Sequence, residues 1–326
     1  MNTESTNFHQ GPSAVPLHAT LALSPPVPCL LTTPDQQVKK NVGKSHGTTM
    51  AHVLESKGKG ECRADPDQPS RPPRLRRKTM KTFAALGFLS SDVEHERRAL
   101  RKRHSAEFAQ VEALTEQAMT ELQAVSGASS QEYLLGLGYW LRCLEGCQGA
   151  VLLIERGLPS APFPVLRTAF ECLFFACALW RRPALAAKLQ AGHDAERIKQ
   201  ARTMIAAGAA SRVPPDRLAE LQAIAAETHP SSTGLTAFEA AGAADLALDY
   251  ETAYRGLGIA GAHASLRSLD DYFVAQPDGS FDLGFEPSSK RTAWLLGLVA
   301  TCLRGGIERH REAHSRRSDA STPPGP

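Results

Sequence analysis

Apolar residues recur at helical spacing from about Lys81 to Glu312, whereas the first 80 residues show no sustained period of 2 or 3.6. Breaks at Gly127–Ser130, Gly157 and Val213–Pro215 divide this periodic part of the sequence into separate segments. No β-α alternation and no convincing strand run interrupts it. The pattern therefore predicts an all-α fold, a single helical bundle of about six to seven helices over residues 80–314.

The helices that the pattern predicts share clear start and stop signals, such as a capping residue, a proline or a glycine. They run from Asp92 to Val125, Gln131 to Arg156, Pro164 to Trp180, Pro183 to Ala209, Asp216 to Glu227, Asp245 to Phe273, and from after Ser288 to His314. The predicted loops are His229–Gly242 and Gln276–Ser288.

Both ends of the chain are predicted to be disordered tails, residues 1–79 and 315–326. The first tail is rich in Pro, Ser, Thr, Gly and His, and it ends in the basic run Arg71–Lys78. Three interpretations stay open for it: a solvated linker, sequence upstream of a true start at Met80, or a tail that binds nucleic acid or an acidic partner.

Charge and cysteine usage narrow the class of protein. A formal net charge of +3 is too small to indicate nucleic-acid binding by itself. Seven cysteines without a preceding signal peptide favour a cytoplasmic protein with reduced thiols. The apolar run Phe163–Trp180 approaches the length of a membrane span, but it contains Arg167 and Glu171, so we predict a buried helix and no membrane contact.

Arg167 and Glu171 form the most informative pair in the chain. They lie four residues apart in an apolar helix, so both side chains leave the same face. A charge removed from water costs several kcal/mol unless it is paired and hydrogen-bonded. The pair therefore predicts either a structural clasp or part of a site. Arg142, with Glu145 nearby, is predicted to add a second positive charge to the same interior.

A second cluster follows the sequence Gly256-Leu-Gly-Ile-Ala-Gly261, which matches the dinucleotide-binding pattern letter for letter. A helical stretch and not a buried strand precedes it, so we interpret the glycines as a face for close helix approach. Just beyond, His263 and Arg267 are spaced for one helix face, and histidine titrates near neutrality. His263 is thus either a hydrogen-bonded core residue or a group that moves protons.

Neither the cysteines nor the acidic residues predict a metal site or a cofactor. Cys143 and Cys147, like Cys172 and Cys177, lack a histidine at ligand spacing and are interpreted as small core residues. The His193-Asp194-x-Glu196 group is assigned to the surface.

Three landmarks resemble a bacterial family of uncharacterised helical proteins, domain of unknown function 5677. They are the leucine-rich segment that runs into Arg167-x3-Glu171, the Tyr250-x3-Tyr254 pair followed by His263, and the amphipathic helix around His193–Ile205. The resemblance covers roughly Glu112 to Glu308 and implies a helical domain with no established activity. That family tends to carry a serine shortly before the histidine, and Ile259–Ala262 contains none.

A looser resemblance is to the HEPN domains of prokaryotic defence and toxin systems, several of which are metal-independent ribonucleases. They use an arginine and a histidine a few residues apart on one helix. Arg255 lies eight residues before His263, about 12 Å along a helix, which is longer than their usual spacing.

The predicted site therefore has two sets of residues, and whether the protein is an enzyme stays open. The candidate catalytic residues are His263, Arg167 and Glu171, and the candidate ligand-binding residues are Tyr254, Arg255 and Arg267. The leading hypothesis is a non-catalytic or regulatory helical domain. Its interior polar cluster of Arg167, Glu171, Tyr254 and His263 is predicted to bind a small anionic ligand or to fix the packing. The alternatives are a metal-independent endoribonuclease and a structural module that self-associates through the charged helix Asp92–Val125.

Overall fold

The computed structural model describes residues 81–126, 130–228, 234–276 and 280–321, with side chains from 82 to 317. The predicted tail 1–79 lies outside these ranges, and so do the last five residues. All described residues belong to one compact unit, Pro73–Pro326.

Helices dominate the described residues, which confirms the helical character but not the predicted number of helices. Eleven α-helices are present there, because one long predicted helix is split and short helices were missed. They are α1 Lys81–Leu86, α2 Val93–Arg103, α3 Ser105–Gln123, α4 Gln131–Glu155, α5 Pro162–Arg181, α6 Leu185–Ala206, α7 Pro215–Ala226, α8 Ala237–Ala243, α9 Ala247–Asp249, α10 Arg255–Leu257 and α11 Thr292–Ser321.

Helix α5 lies in the centre of the core, where it contacts α4, α8 and α11. Its sequence is apolar on almost every side, which is typical of a helix surrounded by protein. Phe163, Phe170 and Phe174 are fully buried, and Trp180 at its C-terminal end is nearly so. By length and composition alone α5 could cross a membrane, although 67% of its apolar window is buried inside the protein. The cytoplasmic location stays a prediction from the sequence.

Two glycines let large rings enter the space between helices. An added Cβ at Gly306 of α11 would overlap the ring of Trp140 on α4, and one at Gly136 of α4 would overlap the indole of Trp180. Such overlap cannot be relieved without moving a buried ring or a helix axis. The bundle therefore depends on these glycines for its close helix approach.

The predicted helix Asp92–Val125 is two helices, α2 and α3, with a break at His104. The backbone of His104 leaves the helical region, with φ −114° and ψ 36°. Two ion pairs cross from α2 into the core. Glu155 of α4 accepts hydrogen bonds from Arg97 at 3.3 Å and Arg101 at 2.5 Å, and it is 7% exposed.

The predicted helix Asp245–Phe273 is wrong beyond Ala262. After α9 the chain forms a π-helical turn, Tyr250–Tyr254, then α10 and a second π-helical turn, Gly258–Ala262. His263 is extended, with φ −117° and ψ 150°, and a 3-10 helix follows at Leu266–Tyr272. The backbone hydrogen bonds of the π turns join residues five apart instead of four. The spacing of apolar residues along the sequence does not reveal this difference.

Two further predictions about loops and strands are corrected. The segment predicted as the loop Gln276–Ser288 contains strand β2, Phe281–Leu283, which pairs antiparallel with β1, Phe273–Ala275. The predicted loop His229–Gly242 contains most of α8, which Thr236 and Glu239 begin with a reciprocal capping box.

The C-terminal end is more ordered than predicted. Helix α11 continues through Ser321, so the first seven residues of the predicted disordered tail 315–326 are helical.

Candidate functional site

Arg167 and Glu171 are joined through a third residue, Tyr254, rather than to each other. The guanidinium carbon of Arg167 lies 3.9 Å from the centre of the Tyr254 ring. The Tyr254 hydroxyl donates a hydrogen bond to a carboxylate oxygen of Glu171 at 3.3 Å. No direct Arg167–Glu171 ion pair is present among the described residues. The predicted clasp is thus a cation–π contact followed by a hydrogen bond.

Tyr254 is held neutral by its surroundings. Burial, reinforced by the nearby negative charge of Glu171, raises the pKa of Tyr254 to about 12, although Arg167 acts in the opposite direction. Its ring also packs against Phe174 at 5.8 Å and stacks on Tyr250 at 5.1 Å. The phenol is therefore fixed as a hydrogen-bond donor near neutral pH.

Arg167 keeps unused hydrogen-bonding capacity. Its Nε is buried and has no hydrogen-bond partner in the described part of the chain. A buried donor without a partner costs about 1–3 kcal/mol, so its persistence points to a constraint from the site.

His263 lies beside the same arginine. A Cβ placed on Gly258 would be 3.5 Å from Arg167 Nε and 3.7 Å from His263 Nε2, so both groups line one small space at this glycine. His263 is exposed, while Gly258 is buried. The structure therefore brings together four of the six predicted site residues, Arg167, Glu171, Tyr254 and His263, although the helix that was predicted to carry His263 ends before it.

The fifth predicted residue, Arg267, lies in a separate groove on the other side of the Arg255–Ala262 segment. This groove has a volume of about 510 Å³. We call it the basic groove, and its lining residues are Gly256, Ile259, Ala260, Arg267, Lys290, Arg291 and Trp294. Residues 256 and 258 are two apart, so on a helix they face nearly opposite directions. One face of the segment thus meets the Arg167 cluster and the other forms the groove wall.

Arg291 is anchored in the floor of the groove. Its Nη1 donates to the carbonyl oxygen of Ala260 at 3.4 Å, and its Nη2 lies 3.5 Å from a carboxylate oxygen of Asp271. Its guanidinium carbon is also 5.2 Å from the centre of the Phe163 ring. These contacts fix Arg291 and leave Arg267 and Lys290 as the exposed cations of the groove.

Arg255 and Arg142 do not join either group. Arg255 is exposed and pairs with Glu251 at 2.7 Å one helical turn earlier. Arg142 is exposed on α4, with Glu145 also at the surface, so the predicted second interior charge is wrong.

The glycine-rich match behaves as a packing motif. An added Cβ on Gly261 would lie 3.0 Å from the Phe163 ring, whereas Gly256 faces open space in the groove. No strand precedes these glycines in the described residues around them, and they lie in α10 and the second π turn. Close helix approach, as predicted, accounts for Gly261.

Residues 133–281 match the model of a family of unknown function, DUF5677. Within this segment, somewhat less than half of the chain, the protein is similar to that family. The resemblance predicted from the arginine–glutamate and tyrosine pairs is confirmed, over a shorter stretch than the predicted Glu112 to Glu308. No curated protein and no solved structure matches the chain.

The DUF5677 segment contains every predicted site residue, but it does not contain the whole basic groove. It runs from the start of α4 to the first residue of β2, so Lys290, Arg291 and Trp294 lie beyond it. The resemblance to HEPN domains stays a prediction.

Sequence reasoning missed a buried histidine, His310 of α11, which is 3% exposed. Its Nε2 lies 3.4 Å from the Tyr133 hydroxyl, and its Nδ1 lies 3.8 Å from Glu121. Burial lowers the pKa of His310, while the charge of Glu121 raises it. The spacing of Cys302, Leu303 and Ile307 ahead of His310 places them on one apolar face, which is the signal that could have found it.

The five cysteines that the structure describes are buried, as predicted, but three of them meet. Cys302 of α11 joins Cys143 and Cys147 of α4, and the three sulfur atoms all lie within 4.8 Å of one another. The interpretation as separate small core residues missed this convergence, since Cys302 is 159 residues from Cys143. The His193-Asp194-x-Glu196 group lies in α6, with His193 and Glu196 exposed, which agrees with a surface location.

Proposed function

We propose that this protein binds a small organic anion in the basic groove and acts as a ligand-responsive, regulatory helical domain. The observation that supports it most is the pairing of two exposed cations, Arg267 and Lys290, with an exposed tryptophan, Trp294. Neither cation forms an ion pair with a described residue. Cations without protein partners beside an aromatic face suit a ligand with an acidic group and a flat ring.

The size and electrostatics of the groove agree with such a ligand. Its volume of about 510 Å³ lies in the range of about 300–1,000 Å³ that is usual for ligand pockets. Lys290, Arg291 and Trp294 lie at the N-terminal end of the 30-residue helix α11, where the helix dipole favours negative charge. Ile259, 55% exposed, offers an apolar wall for the uncharged part.

The interior cluster has a positioning role in this proposal. Arg167 and Tyr254 hold the inner face of the Arg255–Ala262 segment, whose outer face carries Gly256 and Ala260 of the groove wall. Filling the groove would therefore press on a segment with two π turns, an element that is frequent at functional sites. Because His263 lies beside Arg167, the exposed fraction of its side chain would change when the segment moves.

Tryptophan fluorescence tests the proposal directly. Of the three tryptophans, Trp140 is 1% exposed, Trp180 is 7% exposed and Trp294 is 45% exposed. Full-length protein is titrated with adenosine monophosphate, adenosine, inorganic phosphate and an aromatic carboxylate. We expect a saturable change with the two ligands that combine an anion and a ring.

Two variants make that titration specific. Arg267→Ala should weaken binding by about tenfold or more, because a charged hydrogen bond contributes about 1.5–3 kcal/mol. Arg255→Ala is the matched control, an exposed arginine of the same segment that pairs with Glu251. No saturable response, or an equal loss in both variants, would refute binding in the groove.

A second candidate function is metal-independent RNA cleavage, and one observation favours it. His263 and Arg167 meet at Gly258, so a histidine that can transfer a proton lies beside a cation that can stabilise phosphorane charge. Arg167 is better placed for that role than Arg255, which is engaged by Glu251.

The cleavage test uses several RNA substrates in EDTA. His263 is exposed, so His263→Ala should fold normally and should lose cleavage if the histidine acts as acid or base. Arg255→Ala should keep it. Absence of cleavage by the unmodified protein would leave the groove proposal as the function.

Self-association is the third proposal. The charged surface of α2 and α3 would carry it, and charge reversals there should change the sedimentation coefficient. Variants of Arg267 and His263 should not.

A further inference from the structure

Three thiols converge in the apolar interior, and none of them belongs to the basic groove or to the Arg167 cluster. Cys143 and Cys147 lie one turn apart on α4, and Cys302 reaches them from α11. All three residues are 0% exposed. The Sγ atoms of Cys143 and Cys302 are 3.5 Å apart.

We propose that Cys143, Cys147 and Cys302 form a binding site for a soft, thiophilic metal ion, Cu(I), held by sulfur alone. Nothing in the proposed ligand-binding function requires this site, so the two can be tested separately.

The spacing of the sulfur atoms is the first argument. Metal–sulfur bonds of about 2.3 Å around one ion place the sulfurs about 4.0 Å apart when three ligands surround it in a plane. The observed separations, 3.5 Å for one pair and under 4.8 Å for all, bracket that value. Side-chain rotations that move the sulfur atoms by a few tenths of an ångström would bring all three to bonding distance from one ion.

The kind and number of ligands determine which metal ion the site would bind. Sulfur ligands without oxygen or nitrogen select soft ions such as Cu(I) over the hard divalent ions. Structural zinc is almost always four-coordinate, and no fourth histidine, cysteine or carboxylate lies within 4.8 Å of all three sulfurs in the described residues. Three-coordinate Cu(I) fits the set as it stands.

Binding is balanced in protons and electrons. Thiolates and not thiols are metal ligands, so each thiol that binds the ion gives up its proton to solvent. Copper enters and stays as Cu(I), so no oxidant or reductant is consumed.

Burial determines how the ion would enter. With all three residues at 0% exposure, loading requires a local opening between α4 and α11 or binding during folding. Once bound, the ion would join two helices that are far apart in sequence and so stabilise their contact.

The test measures Cu(I) retained against a chromogenic chelator under reducing, oxygen-free conditions. The full-length reference carries Cys29→Ala and Cys62→Ala, since those cysteines lie outside the described residues. Copper is supplied to the folded protein and, separately, during refolding. We expect one equivalent to be retained, with a higher unfolding midpoint and an absorption spectrum from sulfur ligands only.

Matched variants locate the ion. Cys302→Ala and Cys147→Ala should each lower Cu(I) affinity by at least about 100-fold, since even changes behind the ligands cost about 10–100-fold. Cys177→Ala is the control, a buried core cysteine of α5 that is 2% exposed and outside the trio. Its affinity should stay within about threefold of the reference.

Two outcomes would overturn the proposal. One is a reference protein that retains no copper and shows no shift of its unfolding midpoint, a readout that requires no variant to fold. The other is equal loss of copper from Cys177→Ala and Cys302→Ala.

Discussion

The four helices α3, α4, α5 and α11 differ from the segment between α9 and Lys290 in packing and in backbone regularity. The helices are long, with Trp140, Phe170 and Leu303 buried to within 2% exposure. The segment changes its backbone type every few residues, from α to π to 3-10 to strand, and exposes much of its surface. Tight packing fixes the first region, whereas the second can accommodate small changes in backbone and ligand. We therefore expect substitutions to cost stability in the helices and function in the segment.

The largest effect is expected at Gly306 of α11. Gly306→Ala should destabilise the protein by about 3 kcal/mol, because the new methyl group would overlap the buried Trp140 ring. Gly297→Ala in the same helix is the control, since nothing lies within 4 Å of its added Cβ. It should stabilise by about 0.5–1 kcal/mol through helix propensity. Urea denaturation of both variants measures the contrast, and equal stabilities would refute the tight contact.

The next effect is expected at Glu155, which ties α2 to α4. Glu155→Gln should lower stability by about 2 kcal/mol, since two partly buried arginines lose their shared carboxylate. Glu145→Gln, on an exposed part of the same helix, should change stability by less than about 0.5 kcal/mol. Thermal unfolding of the two variants checks this, and a Glu145 effect as large as that of Glu155 would contradict it.

A smaller, pH-dependent effect is expected from His310. Burial holds its pKa below the ordinary value of 6.5, so the unfolded chain takes up the proton first as pH falls. Stability should be unaffected above pH 6.5 and should decrease below it, down to the pKa of the folded state. Glu121, His314 and Arg317 face the ring and act on the same equilibrium.

Denaturation at several pH values compares the unmodified protein with His310→Gln. The variant should show a smaller decrease between pH 6.5 and 5. An unchanged slope would mean that other groups account for the pH dependence.

The smallest effect is expected at Gly258, in the irregular segment. Gly258→Ala should change stability by no more than about 0.5 kcal/mol, because its Cβ would meet Arg167 and His263 at ordinary contact distances of 3.5 Å or more. Its expected effect is on the site, as a change in ligand affinity or RNA cleavage. A loss of stability as large as that of Gly306→Ala would contradict the proposed difference between the two regions.

The same distinction explains what the sequence could predict. Periodicity placed α4 within one residue at its C-terminal end, because a long apolar stripe and the stop at Gly157 define it. It joined α2 to α3, because the break at His104 depends on backbone geometry that no proline or glycine signals. It extended one helix past His263, because π turns keep an approximately helical pattern of apolar positions.

The sequence predicted the members of the Arg167 cluster but not the contacts between them. An arginine and a glutamate one turn apart identified the Arg167 cluster, and the tyrosine pair supplied Tyr254. That the arginine stacks on Tyr254 rather than pairing with Glu171 depends on how α5 meets the π turn. Lys290 and Trp294 of the groove, like Cys302, come from a distant helix, and spacing along the chain carries no information about such tertiary neighbours.

The position of α11 in the chain has a consequence for synthesis on the ribosome. Trp140 of α4 is covered by Gly306, and Cys143 meets Cys302 across a separation of 159 residues. Until α11 has emerged, the nascent chain presents an apolar face on α4 and α5 with no partner to cover it. Such a chain is a substrate for chaperones that bind exposed apolar segments, and the packing of α4 and α5 is completed only when α11 is available.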